Sequence, residues 1–128
     1  LPELLPKADI VVLLVPMTDE TRGMVDAKFL AGMKDGAMLV NMARGGIVDT
    51  DALVAELRTG RLRAALDVTD PEPLPPGHPL WDAPGLVLSP HVGGNTTAFL
   101  PRARRLVREQ LTRFAAGEPL ANVVAGAY

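Results

Sequence analysis

The chain has 128 residues, with 13 Lys and Arg against 15 Asp and Glu, a formal net charge of -2, and no cysteine. That length suits one domain or part of one, and a hydrophobic share of 48% excludes disorder as a description of the whole chain. The missing cysteines exclude a disulfide scaffold and any thiolate metal centre, and they fit a reducing cytoplasm. The acidic balance (pI near 5.6) lacks the overall charge of a nucleic-acid binder.

The first residues, Leu1-Pro2-Glu3, carry no initiator Met, whereas Val123-Val124-Ala125-Gly126-Ala127-Tyr128 reads as a genuine terminus. The expectation is therefore the C-terminal portion of a longer protein. Asp9 introduces Ile10 to Val15, a β-branched run ended by Pro16. Unbroken apolarity of this kind predicts a strand covered on both faces, as in a parallel sheet, and the run is too short to span a bilayer. Asp26 can cap a short helix reaching Met33, closed by Lys34-Asp35-Gly36. Ala37 to Asn41 reads as a second strand, and Asp49 caps a helix carrying Leu53, Val54 and Leu57 that stops at Gly60. Leu62 to Val68 and Leu86 to Ser89 read as the third and fourth strands.

Strands alternating with helices predict βαβ units, parallel pairing and right-handed crossovers, so the fold class is α/β, the second half of a doubly wound sheet. Seven of the twelve prolines fall between Pro71 and Pro90 and predict a stiff crossing loop able to fix a carboxylate in place. From Thr97 to Ala116 the pattern is an amphipathic helix. Ala103, Leu106, Val107, Leu111 and Phe114 share one arc, and the arginines 102, 104, 105, 108 and 113 fall outside it. Those arginines read as a solvated face or an interface, ahead of a nucleic-acid surface.

Ligands of parallel α/β sheets bind beyond the carboxyl ends of the strands. The residues that follow the predicted strands are Val15-Pro16, then Asn41 to Gly46, then Asp67 with Glu72, then Pro90 to Asn95. An arginine, two carboxylates and a histidine thus emerge at one rim. Arg44, followed by two glycines, offers a planar fork for a carboxylate. His91 and Glu72 together make an acid/base pair in which the carboxylate fixes the imidazole tautomer. Taken singly each has a plainer reading: Arg44 a surface ion pair, His91 a structural histidine, Glu72 a solvated loop carboxylate. His78 and Asp70 read as ordinary loop residues. Two histidines without cysteine predict no catalytic metal.

Three ordered blocks, Val40 to Asp49 with Ala52-Leu53, Ala65 to Val68 with Glu72-Pro73, and Ser89 to Gly94, resemble the D-isomer-specific 2-hydroxyacid dehydrogenases. Leu13 to Pro16 with Thr18 and Thr21, and Phe29-Leu30 with Met33 to Gly36, add to the likeness, which covers essentially the whole chain. The resemblance implies a Rossmann-type NAD-binding domain, with residues 1–96 its second half and 97–128 a helix and tail packing toward a substrate domain. It implies Arg44, Glu72 and His91 as the catalytic set. Val15, Pro16, Thr21, Met42, Ala43, Arg44, Asp67, His91, Gly93 and Gly94 would meet NAD or NADP, Asp67 at the nicotinamide carboxamide. Arg44 would clamp the substrate carboxylate, His91 would exchange a proton with the carbonyl oxygen as hydride moves, and Glu72 would hold His91.

The implied substrate is a small 2-keto or 2-hydroxy acid, in a cytoplasmic homodimer with no membrane or nucleic-acid partner. The Glu partner suits a keto-acid couple better than the related formate dehydrogenases. Met42 and Thr69 depart from the usual residues of the family. The phosphate-cradling GxGxxG turn and the ribose-gripping acid do not occur in these residues, so the chain alone is expected to be inactive. Its apolar helix face and Val123-Val124 are expected to favour self-association. The same family contains corepressors that keep these residues and use the fold as a sensor, which is the competing reading.

Overall fold

In a computed structural model, which describes residues 1–125, the chain divides into two compact units, one ending at Val92 and the other starting at Gly93. The tail positions Gly126, Ala127 and Tyr128 lie outside the described residues.

Four parallel strands build the first unit: β1 (Ile10–Leu13), β2 (Met38–Asn41), β3 (Arg63–Leu66) and β4 (Leu86–Leu88), ordered β1-β2-β3-β4. The register pairs Leu13 with Asn41 and Asn41 with Leu66, so the strands end together at one rim. The crossovers are α1 (Ala27–Ala31), between β1 and β2, and α2 (Thr50–Arg58), between β2 and β3. Both predicted caps form. The Asp26 carboxylate accepts from Phe29 N–H at 2.8 Å and Asp49 from Ala52 N–H at 3.0 Å, each satisfying a donor that the first helical turn leaves without an intrahelical partner.

The strands are shorter than the apolar runs that predict them, and their two faces differ. Leu13, Leu39, Asn41, Ala64 and Leu66 occupy one face and are buried. With them pack Phe29 and Leu30 of α1, Leu53, Val54 and Leu57 of α2, and Ile47 and Leu80 from the connections. Each such large side chain contributes about 1.5–3 kcal/mol by leaving water. On the opposite face Ile10 is 59% exposed, Val12 50% and Val87 64%. The expectation that β1 is covered on both faces is therefore not met among the described residues. Continuous apolarity records what a strand tolerates on each side, not whether both sides are covered.

The second unit is dominated by α3 (Phe99–Ala115), with Pro101 in the first turn, where its missing N–H costs nothing. Gly117, at φ +67°, ends it, with Glu118 N–H returning to the Arg113 carbonyl at 2.9 Å. No residue of α3 is buried, and Phe114 on its apolar arc is 76% exposed.

Candidate active site

Two hollows lie at the carboxyl rim of the sheet. One, of about 430 Å³, sits past β1 and β2 and is lined by Leu14, Val15, Pro16, Met17, Met42, Ala43 and Arg44. The other, of about 260 Å³, sits past β3 and β4; Asp67, Thr69, Glu72, Ser89, Pro90 and His91 line it, with Pro73, Leu74, Trp81 and Leu88 as apolar wall. A Cβ added to Gly45 would fall 1.9 Å from the Thr69 carbonyl oxygen, so the turn after β2 rests directly on the backbone after β3.

His91 and Glu72, 19 residues apart, meet in the second hollow with Nδ1 2.5 Å from Oε1. A carboxylate only accepts, so this bond puts the hydrogen on Nδ1 and leaves Nε2 to face a reactant. Both side chains remain partly open, 47% and 39% exposed, and so accessible to a small molecule. His91 has φ +54°, a left-handed conformation that a non-glycine residue holds only when its surroundings impose it.

Asp67, 5% exposed, lines the same hollow. Its Oδ1 accepts from Ser89 Oγ–H at 2.6 Å and from Val92 N–H at 2.9 Å. Arg44 belongs to the first hollow. It is exposed, and one of its five donors, on Nη1, bonds the Ala43 carbonyl at 2.7 Å. Asn41, 1% exposed, holds the Arg44 turn: Nδ2 donates to the Arg44 carbonyl at 2.9 Å and Oδ1 accepts from Ala43 N–H at 3.0 Å.

The rim thus gathers Asp67, Glu72 and His91 in one hollow and Val15, Pro16, Met42, Ala43 and Arg44 in the other. Thr21 lines neither. Its hydroxyl donates to the Pro16 carbonyl at 2.7 Å and accepts from Thr18 N–H at 2.8 Å, so it ties down the loop that carries Val15 and Pro16. Gly93 and Gly94 belong to the second unit. Sequence reasoning missed Asn41 and Ser89 as supports of the turns; the available signal was a polar residue closing an otherwise apolar strand. It also missed Leu74 and Trp81, whose approach to the site depends on how the proline-rich loop folds back. Among the described residues no group of three or more His, Cys, Asp or Glu is arranged to hold a metal ion.

Residues 1–93 match the family profile described as the D-isomer specific 2-hydroxyacid dehydrogenase, NAD binding domain. The chain belongs to this family. It is 44% identical over 125 residues to the glyoxylate reductase of Aeropyrum pernix, covering 97% of this chain and 37% of that protein. The crystal structure of the TT0316 protein from Thermus thermophilus superposes with a TM-score of 0.89 at 46% identity, over 97% of this chain and 40% of that one. A D-isomer specific 2-hydroxyacid dehydrogenase from Xanthobacter autotrophicus Py2, in complex with NADPH and MES, gives 0.82 at 42% identity, over 97% of this chain and 51% of that one. The chain therefore spans well under half the length of that glyoxylate reductase, and its first unit has the Rossmann-type fold of an NAD-binding domain.

Proposed function

We propose that this chain carries the proton-transfer and carboxylate-binding residues of an NAD(P)-dependent D-2-hydroxyacid dehydrogenase acting on a small 2-keto acid. The observation that carries the reading is the His91–Glu72 bond of 2.5 Å, set in a hollow at the carboxyl rim of a parallel sheet. In reduction, His91 gives a proton from Nε2 to the substrate carbonyl oxygen; in oxidation, it takes the hydroxyl proton back. Glu72 keeps the ring in the tautomer that presents Nε2 and stabilises the imidazolium as it forms. Arg44, with four donors beyond the one on Ala43, binds the substrate carboxylate and orients the carbonyl.

The rim fits a nicotinamide. The hollow past β1 and β2 has an apolar wall of Val15, Pro16 and Met42. Val15, Pro16, Met42, Ala43 and Arg44 would hold the cofactor there, with Asp67 as a further contact. When bound, the nicotinamide supplies or accepts the hydride. The phosphate-cradling turn is not among these residues, so the 128 residues alone are expected to give no turnover with NADH or NADPH and glyoxylate or hydroxypyruvate.

The test is a chimera in which this chain replaces the matching segment of the Aeropyrum pernix glyoxylate reductase. The chimera is expected to reduce a 2-keto acid, and His91→Asn in it to lower kcat by roughly 10²–10⁴-fold, the usual contribution of a general acid. A folded chimera that binds cofactor but transfers hydride to no 2-keto acid, or one that His91→Asn leaves unimpaired, overturns the assignment.

A further inference from the structure

We propose that Ser89, acting through the buried carboxylate of Asp67, is a positioning residue that holds His91 in its left-handed backbone conformation with its ring on Glu72. The inference rests on the reading of His91 as the acid/base, but its geometry stands apart from any reaction. One oxygen, Asp67 Oδ1, receives donors from both sides of His91: the Ser89 hydroxyl at 2.6 Å and the Val92 amide at 2.9 Å. Two bonds on one acceptor close the chain around the histidine, and His91 N–H closes the inner turn onto the Ser89 carbonyl at 3.0 Å.

Both ends of the clamp are fixed to the sheet. Ser89 N–H donates to the Leu66 carbonyl of β3 at 2.9 Å, and Asp67 N–H to the Asn41 carbonyl of β2 at 3.0 Å. The order of support runs from β2 to Asp67, from Asp67 to Ser89 and Val92, and from these to the φ of His91. A histidine at φ +54° holds a costly backbone conformation, and bonds that fix its chain neighbours help to offset that cost beside its own bond to Glu72. Charge-assisted bonds to a carboxylate shielded from water are the strongest available, and Asp67 is 5% exposed. The carboxylate that the family resemblance assigns to the nicotinamide carboxamide therefore also has a task within the chain, and Ser89, the residue two before the histidine, is its side-chain partner.

A hydroxyl that served stability alone would change the melting temperature and leave the imidazole as it was. The test reads the imidazole. In the 128-residue chain labelled with nitrogen-15, the His91 ring nitrogens are expected to report the Nδ1–H tautomer. Ser89→Ala is expected to move them toward the averaged values of a free imidazole and to speed hydrogen exchange at the Val92 amide by roughly 10-fold or more. Ser89→Thr, which keeps the hydroxyl, is expected to restore both. Ring shifts unchanged in a folded Ser89→Ala chain overturn the proposal, as does failure of Ser89→Thr to rescue. If Ser89→Ala does not fold, loss of the wild-type ring signature in Ser89→Gly or Ser89→Cys, with Ser89→Thr unchanged, supports it, and a retained signature overturns it. In the chimera, Ser89→Ala is expected to lower kcat roughly 10- to 100-fold while the cofactor KM stays near wild type. A wild-type chimera inactive on every keto acid would remove the dehydrogenase reading and leave the ring result standing. An active chimera with an unaltered ring signature in Ser89→Ala would remove the clamp alone.

Discussion

A methyl group on Gly45 would lie 1.9 Å from the carbonyl oxygen of Thr69 and 2.1 Å from its carbon. Neither atom belongs to a side chain that could turn aside, so Gly45→Ala must push two backbone turns apart. The expected cost is about 3 kcal/mol or more, read as a lower denaturation midpoint. The sequence shows this glycine only as the residue after Arg44, where it reads as access for a ligand. The packing gives it a second task, the seat of one turn on another. The pairing of His91 with Glu72 was legible from residue type and from position after two strands. Its distance was not, since a 19-residue separation through a proline-rich loop fixes neither ring direction nor reach.

At the scale of elements, Arg61 shows how one side chain joins two helices. Its guanidinium donates to the Leu30 carbonyl and the Met33 carbonyl at 2.7 Å each, satisfying groups at and just past the end of α1, while Nε bonds Glu56 of α2 at 2.6 Å. The Glu56 hydrogen bond is the largest influence raising the Arg61 guanidinium above its already high ordinary value; burial opposes it. A raised cation contributes stability that is present below its unfolded value and is lost only as pH climbs through the raised one. Its contribution is therefore constant between about pH 6 and 9. Arg61→Ala is expected to destabilise by about 2–4 kcal/mol, because it removes the guanidinium from the Met33 carbonyl and from the mostly buried Glu56 carboxylate, while the Leu30 carbonyl keeps the Met33 N–H at 3.0 Å. Chemical denaturation at neutral pH checks it.

Asp9 has the opposite sign: its hydrogen bond to Lys34 holds the carboxyl below the usual carboxylate range. What that pair adds is present at neutral pH and lost as acid carries the pH below that range. Salt also weakens it, since both side chains face water. The caps at Asp26 and Asp49 were legible because a cap is local chemistry within four residues. The shortened strands were not, because a ladder ends where its neighbour ends.

The whole molecule presents an apolar sheet surface. Ile10 and Val12 stand on the face of β1 opposite the core, and β1 is an edge strand. Ile10→Lys together with Val12→Lys is expected to reduce binding of an apolar dye such as anilinonaphthalene sulfonate by the 128-residue chain, with stability changed by less than about 1 kcal/mol. A large loss of stability would mean that this face is packed, not open.

By itself the sequence determined the α/β class, the order of its elements, the two capped crossovers and the residue types gathered at the carboxyl rim. All of these follow from periodicity and local chemistry, which act over a few residues. Only the tertiary structure decided that Arg44 and His91 line different hollows, that Thr21 binds a loop and lines neither, and that Ile10, Val12 and Val87 are exposed on the sheet face opposite the core. It alone also decided that a single carboxylate oxygen grips the chain on both sides of the histidine. These are relations between segments tens of residues apart, set by strand register and by the contact of one turn with another, and no short window of the chain contains them.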